Sequence, residues 1–132
     1  MARPKPNLTP EQFKARQARW VMEWRRRNPE KHKLARKRAY LNRKLKALKA
    51  VGEPKCRNCG CDEIDFLEFN HMRGDGCKEW RANKGNSMMD RILTFKRKTD
   101  DLEILCRVCN ALDFLERKNK KSAKNFKITW LN

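Results

Sequence analysis

The chain has 132 residues, a formal net charge of +18 at pH 7 and an isoelectric point near 10.2. So basic a chain favours a polyanionic partner, most often nucleic acid. No apolar run approaches the roughly 18 residues that a membrane span needs, and the first residues lack the apolar segment of a secretory signal. We therefore expect no membrane partner and a cytoplasmic location, where cysteines serve as metal ligands or free thiols more often than as disulfides.

Charge is distributed unevenly along the chain. Residues 1–55 hold 18 Lys and Arg against 4 Asp and Glu, which gives +14, and residues 56–116 hold 10 against 12, which gives −2. Residues 117–132 hold 6 basic residues and no acidic ones. This distribution predicts a basic DNA-binding arm over residues 1–55, a folded centre over residues 56–116 and a basic tail over residues 117–132.

Helix signals fill the arm. Thr9 is a suitable N-cap and Gln12 completes a capping box with it, which predicts a helix over residues 8–27. A second start at residues 28–30 predicts another helix that ends near Gly52. Each predicted helix has one apolar stripe, and its other faces are almost entirely Lys and Arg. These basic faces either lie along a phosphate backbone or are simply solvated. The predicted contacts to nucleic acid in the arm are Arg25, Arg26, Arg27, Arg36, Lys37 and Arg38.

The centre contains short elements separated by turn signals. Strands are predicted where apolar and polar residues alternate, and helices where a capping residue precedes apolar residues at helical spacing. In chain order the predictions are a strand over residues 66–70, a turn at Gly74 and Gly76, a short helix capped by Asn86 or Ser87, a strand over residues 102–105 and a helix from about Asn110.

Two CxxC pairs, Cys56/Cys59 and Cys106/Cys109, are the strongest signal in the sequence. A CxxC turn directs two thiolates to one point, and two such turns complete a tetrahedral structural zinc site. A site of four sulfur ligands is closed and cannot activate water, so any chemistry must lie elsewhere. The two other cysteines, which we expect to be free thiols, are Cys61 and Cys77.

The segments CRNC, LEFNH and DLEILCRVCN, in this order, carry a family resemblance. Residues 56–116 resemble the HNH (His-Me finger) endonucleases of the zinc-stapled phage type, with some similarity to recombination endonuclease VII-type proteins at LCRVCN. The resemblance implies an α+β fold: a small zinc-stapled ββα-metal domain, here with a basic helical extension at its N-terminus. For a phage protein it also implies the cytoplasm of the host cell.

The resemblance assigns roles to individual residues. His71 matches the general base, and Asn70 falls where the family has a metal-binding Asp or His. Asn110 matches the metal-binding residue that opens the final helix, and Asp101 stands where a structural Asn ties the loop down. Because two Asn side chains supply no formal charge, Glu68, on the same strand face as Asn70, is a candidate for the missing carboxylate.

These roles predict metal-dependent hydrolysis of DNA, with RNA as an alternative substrate. A neutral histidine takes the proton of the attacking water, and one Mg²⁺ or Mn²⁺ ion stabilises the charge on the phosphate. One such centre cuts one strand, so nicking is expected. Three basic residues near the turn are expected to hold backbone phosphates, with ordinary surface charge as the alternative. Trp80 either stacks on a base or packs in the core, and the core is expected. The three basic residues are Arg73, Lys78 and Arg81.

Plainer interpretations stand beside these. Asn110 has the features of a helix N-cap, and Glu68 those of an exposed strand residue. The chain as a whole has two rival functions: a non-catalytic zinc-stabilised binder of DNA or RNA, and a subunit of a ribonucleoprotein. The sequence leaves the oligomeric state open.

Overall fold

The structure, a computed structural model, describes residues 7–84 and 86–119. Two compact units divide the chain, Met1–Ala39 and Tyr40–Asn132. The boundary between these units falls inside a helix. The division of the chain into a basic arm, a folded centre and a basic tail remains a prediction. Most of the predicted basic tail, from residue 120 on, lies outside the described residues. No helix in the described part of the chain is both long enough and apolar enough to cross a membrane.

Two long helices begin the described chain, α1 (Pro10–Arg27) and α2 (Pro29–Val51). The predicted capping box is confirmed: Gln12 donates its backbone N–H to Thr9 Oγ1 at 3.3 Å, and its side-chain Oε1 accepts from the Thr9 N–H at 3.0 Å. Helix α1 buries no residue. In α2 the residues that become buried are Lys44, Ala47 and Leu48, all near its carboxyl end.

The folded part after residue 40 is built on a two-stranded antiparallel sheet. Strand β1 (Leu67–His71) pairs with β2 (Leu102–Cys106), so that Leu67 faces Cys106 and His71 faces Leu102. Helix α5 (Arg107–Asn119) follows β2 without a connecting residue. The predicted start near Asn110 is wrong, because Asn110 is the fourth residue of this helix and not its N-cap. The fold is α+β at this level.

The segment between the strands carries two short helices, α3 (Gly76–Ala82) and α4 (Met88–Leu93). Of the two predicted caps for α4, Ser87 is the one that acts, since its Oγ accepts from the Asp90 N–H at 3.2 Å. The prediction that Trp80 lies in the core is wrong, because its side chain is 72% exposed. Helix α3 is only seven residues long and buries none of them.

The core surrounds the sheet in two clusters. One cluster contains Leu48, Leu67, Leu105 and the buried cysteines, and the other centres on Ile92 and Leu102. Burial of these side chains is the main apolar contribution to stability, at about 25 cal/mol per Å² of apolar surface. The first cluster lies at the Cys106 end of the hairpin and the second at the His71 end, so each end has its own support.

Candidate metal centre and histidine site

The four cysteines of the CxxC pairs meet at the Cys106 end of the hairpin. One sulfur atom from each of Cys56, Cys59, Cys106 and Cys109 lies within 4.8 Å of the others, and the Cys59 and Cys106 sulfurs are 3.6 Å apart. Tetrahedral zinc with bonds of about 2.3 Å places its sulfur ligands roughly 3.8 Å apart. The donor set and spacing therefore fit a structural metal ion such as zinc.

Local backbone geometry gathers these sulfurs. Gly60 has a φ of +77°, a conformation that favours glycine, and its N–H donates to the Cys56 carbonyl at 2.9 Å. On the other side, Cys106 ends β2, and the Cys109 N–H in the first turn of α5 donates to the Cys106 sulfur at 3.4 Å. Of the remaining cysteines, Cys61 is buried in the adjacent core and Cys77 is exposed; neither belongs to the group of four.

The thiols differ in acidity. Burial acts to raise the pKa of Cys56, but hydrogen bonds, first from the Cys59 backbone and then from the Cys106 backbone, outweigh it and lower that pKa to about 7. Burial raises the pKa values of Cys106 and Cys109. A metal ion held here would bind all four groups as thiolates, so its binding would be coupled to the folding of this end.

His71 lies at the opposite end of the hairpin, as the last residue of β1, and is 8% exposed. Its Nε2 is 2.6 Å from Oε2 of Glu79, a residue of α3. Arg91 Nη2 and Arg97 Nε donate to Glu79 Oε1 at 2.6 and 2.5 Å, and Arg97 Nη2 donates to Oε2 at 2.7 Å. Hydrogen bonding from Arg97 is the chief cause that lowers the pKa of Glu79 to about 2.

The ionised Glu79 carboxylate determines which ring nitrogen of His71 carries the hydrogen. An ionised carboxylate only accepts hydrogen bonds, so Nε2 must donate. In a neutral imidazole the other nitrogen, Nδ1, is then the one that accepts a proton. A Cβ built on Gly76 would lie 2.8 Å from Nδ1, so the absence of a side chain at residue 76 is what lets the backbone pack against this nitrogen.

Two Asp residues lie near His71. One potential ligand atom from each of His71, Asp75 and Asp101 lies within 4.8 Å of the others. Asp101 is already engaged, because Arg97 Nη1 and Nη2 bind its two carboxylate oxygens at 2.8 Å each. Oδ1 of Asp75 is buried and has no hydrogen-bond partner in the described residues. Since an unpaired buried oxygen is costly, it calls for a water molecule or a cation.

Asp101 also contacts the backbone that follows β1. Its carbonyl accepts from the Met72 N–H at 3.0 Å. The Arg97 guanidinium lowers the pKa of its carboxyl, which keeps the ion pair charged near neutral pH. These contacts link the two ends of the segment between the strands. A residue that ties this loop down, as predicted for Asp101, needs such contacts, but the role itself remains a prediction.

The predicted metal ligands lie on the face formed by the sheet and α5. Asn110 Nδ2 donates to Glu68 Oε2 at 2.8 Å. Asn70 Nδ2 donates to Glu103 Oε1 at 2.9 Å and to Asp113 Oδ2 at 3.2 Å. Because each amide nitrogen is engaged with a carboxylate, the carbonyl oxygen of each Asn is the atom that remains for a metal ion.

Sequence reasoning missed four acidic residues near these sites: Asp75, Glu79, Glu103 and Asp113. One of them had a signal in the sequence, because Asp113 stands three residues after Asn110, on the same helix face. Glu103 is identified only by the observed strand register, which pairs it with Asn70. The contact of Glu79 to His71 depends on how α3 folds back. Arg117, also unpredicted, links the two sites by donating to the His71 carbonyl at 2.9 Å and pairing with Asp113 at 3.0 Å.

The predicted nucleic-acid contacts are all exposed. They comprise the six basic residues of α1 and α2, of which Arg27 is paired with Glu23, and three residues after β1. Comparison with known proteins finds no matching family model, no matching curated protein and no matching solved structure. The resemblance to HNH endonucleases therefore rests on the motifs. The exposed residues are Arg25, Arg26, Arg27, Arg36, Lys37, Arg38, Arg73, Lys78 and Arg81.

Proposed function

We propose that the chain is a metal-dependent endonuclease that hydrolyses phosphodiester bonds of DNA, with His71 as the general base. The observation that carries this proposal is the contact between His71 Nε2 and Glu79 Oε2 at 2.6 Å. It leaves Nδ1 as the proton acceptor, beside the bare Cα of Gly76.

The reaction follows from this arrangement. His71 Nδ1 takes a proton from a water molecule as the water oxygen forms a bond to phosphorus. The bond from phosphorus to the leaving oxygen breaks, and that oxygen is protonated from solvent. The Asp75 carboxylate, with an unpartnered oxygen near His71, is suited to hold the attacking water by accepting its second hydrogen.

A Mg²⁺ or Mn²⁺ ion would be held by oxygen atoms of Glu68, Asn70, Asn110 and Asp113. Carbonyl and carboxylate oxygens are the ligands that these hard cations take. Asp113, 3.2 Å from the Asn70 amide, supplies charge at the position where Asn70 is neutral. When bound, the ion stabilises negative charge on the phosphate and leaving oxygen. The four-cysteine site would hold zinc in a structural role.

The substrate is polyanionic. The exposed basic residues of α1 and α2, together with Arg73, Lys78 and Arg81, are suited to bind backbone phosphates. Such contacts position the substrate and carry no sequence information. They predict an affinity that falls steeply with salt, since each neutralised phosphate releases a counterion.

The test is conversion of supercoiled plasmid to open circles with Mg²⁺ or Mn²⁺. His71→Ala should slow nicking by about 10²–10⁴-fold, the usual contribution of a general base. His32→Ala, at the other histidine of the sequence, on α2, should nick like the wild type. Equal nicking by His71→Ala and the wild type would overturn the proposed role of His71.

One observation favours a second function, a non-catalytic zinc-stabilised binder of DNA or RNA. The side chain of Asn70 is 8% exposed, with its amide bonded to two carboxylates, which is also how a purely structural Asn would be held. Salt-sensitive binding to supercoiled DNA, branched DNA and RNA, without cleavage of any of them in either metal, would establish this function in place of the nuclease.

A further inference from the structure

A pocket of about 260 Å³ lies between α3 and α4, beside His71. Two residues line both the pocket and the histidine site: Glu79, which holds the His71 ring, and Gly76, which lies against Nδ1. The pocket therefore borders the histidine site through these two residues, although His71 itself does not line it. The function proposed above makes no use of this pocket.

The pocket walls have the chemistry that recognises a flat heteroaromatic ring. Trp80 is 72% exposed at its rim, and Met88 lines it as well. An exposed indole is costly to keep in water, and a nucleobase that stacks on it removes this surface from solvent. Aromatic stacking binds all four bases, because each base has a π-face.

Carboxamides supply the polar contacts. Asn83 donates its Nδ2 to the Glu79 carbonyl at 3.0 Å, which leaves its Oδ1 to accept a hydrogen bond. Asn86, exposed, also lines the pocket and offers both a donor and an acceptor. Amide groups of this kind match the donor and acceptor pairs on base edges.

The charge of the pocket is compatible with a nucleotide. Glu79 is the one carboxylate among its described lining residues, and it is neutralised by Arg91 and Arg97. On α3, next to the pocket, Lys78 and Arg81 are exposed and suited to the phosphates on either side of a bound base.

We propose that this pocket binds one unpaired nucleobase of the nucleic acid, next to the phosphate that is cut. This inference rests on the proposed function and deepens it, because it names the structural feature that the protein selects. A base reaches such a pocket only where it is already unpaired or is extruded from the stack, which is least costly at mismatches and bulges. The preferred substrates are therefore duplexes with unpaired bases.

The test compares two dye-labelled DNA duplexes by fluorescence anisotropy, with zinc-loaded full chain and no added Mg²⁺ or Mn²⁺. One duplex carries a single bulged adenosine, and the other carries an abasic nucleotide at the same place. The wild type should bind the bulged base more tightly than the abasic bulge by about 5- to 150-fold, the range for one stacked base. Trp80→Ala should abolish this preference, and Trp80→Phe should retain most of it.

A matched control is Phe95→Ala, which removes an aromatic side chain that is 95% exposed and does not line the pocket. It should keep the wild-type preference. Equal affinity of the wild type for the two bulges, or an unchanged preference in Trp80→Ala, would overturn the proposal. Since binding is measured without cleavage, loss of the preference in Trp80→Ala would support the pocket even if no nuclease activity were found. If the wild type cleaved DNA and Trp80→Ala kept the preference for the bulged base, the pocket would be rejected as the base-binding site, but the proposed nuclease activity would remain supported.

Discussion

The two ends of one short hairpin handle buried acidic groups in opposite ways. At the Cys106 end, four thiols lie within 4.8 Å of one another, and the cation that would neutralise their thiolates has to come from solution. At the His71 end, the acidic groups are carboxylates, and Arg91 and Arg97 of the chain itself neutralise two of them, Glu79 and Asp101. The first end would thus rely on a metal ion, whereas the second holds cations of its own against Glu79 and Asp101.

This difference would let the sulfur end serve the stability of the fold while the His71 end serves the proposed reaction. A structural ion can be enclosed permanently, because nothing needs to leave or enter the sulfur site during a reaction. In the proposed reaction, the histidine site needs a ring nitrogen that can accept a proton. Arg97, through bidentate hydrogen bonds to both Glu79 and Asp101, holds these carboxylates in their charged form without occupying that nitrogen.

The largest expected effect comes from breaking the sulfur end. Cys109→Ser removes one of the four ligands, so bound zinc should fall from about one ion per chain to a small fraction. Cooperative thermal unfolding should also disappear. The reason is that the free energy of zinc binding, about 10–16 kcal/mol in small domains, is also folding free energy. Elemental analysis and circular dichroism measure both. Cys77→Ser, at an exposed cysteine outside the group, should behave like the wild type. If Cys109→Ser were fully stable without metal, the sulfur end would not rely on a metal ion for its stability.

A smaller effect is expected from Glu79→Gln at the His71 end. A pKa lowered from 4.5 to about 2 corresponds to up to about 3 kcal/mol of stability at neutral pH. Urea unfolding at pH 7 measures this loss, and Glu63→Gln, at an exposed residue, is the control. An equal loss in both variants would mean that the Arg97 and Arg91 contacts do not matter.

The stability difference between wild type and Glu79→Gln should depend on pH in a defined direction. Because the pKa of Glu79 is lowered on folding, its contribution is complete above about pH 4.5 and is lost as the pH falls towards about 2. Urea midpoints of the two proteins should therefore converge as the pH is lowered through this range. Acid release of zinc affects both proteins alike, so the difference isolates Glu79. A gap that stayed constant would rule out this linkage.

Gly76→Ala should have a still smaller effect on stability, about 1–3 kcal/mol, because its Cβ would lie 2.8 Å from His71 Nδ1 and force the ring to move. Nicking should fall further than this loss of stability explains, since the new methyl group fills the space beside the proton acceptor. Gly52→Ala is the matched control, with no atom within 4 Å of its Cβ. Wild-type nicking by folded Gly76→Ala would argue against Nδ1 as the base.

The smallest expected effect is at the surface of the sulfur end. Arg57 pairs with Glu103 at 2.8 Å, but the Arg57 side chain is 69% exposed. Such a pair contributes under about 0.5 kcal/mol, so Arg57→Ala should leave the urea midpoint nearly unchanged. A loss above about 2 kcal/mol would show that this end, too, depends on its own cations.

Local signals in the sequence predicted the elements whose stability is local. The Thr9 capping box, the Ser87 cap and the spacing of the four cysteines each involve residues a few positions apart, or a ligand set with a fixed geometry. The start of α5 was missed because Cys109 and Asn110 suggested a cap, whereas the helix continues directly from the last residue of β2. The residues around His71 depend on the segment between the strands.

Glu79 and Trp80 illustrate why that segment could not be predicted. They are neighbours on a helix of seven residues, too short for hydrophobic periodicity to assign its faces. One side chain reaches His71 and the other faces solvent, which depends on the packing of α3 and α4. Asp113 carried a usable signal, its spacing from Asn110, but only tertiary contact with Asn70 gives that spacing a meaning.

The separation of the CxxC pairs has a consequence for how the chain folds in time. Cys59 and Cys106 are 47 positions apart in sequence, and the strand pairing between them is also non-local, since it joins residues 31 to 39 positions apart. Closing so long a loop costs entropy before any strand contact is made, and folds dominated by such contacts form slowly. An ion captured first by one CxxC pair and then by the other would close that loop early. Refolding should therefore be faster with zinc present from the start than with zinc added late.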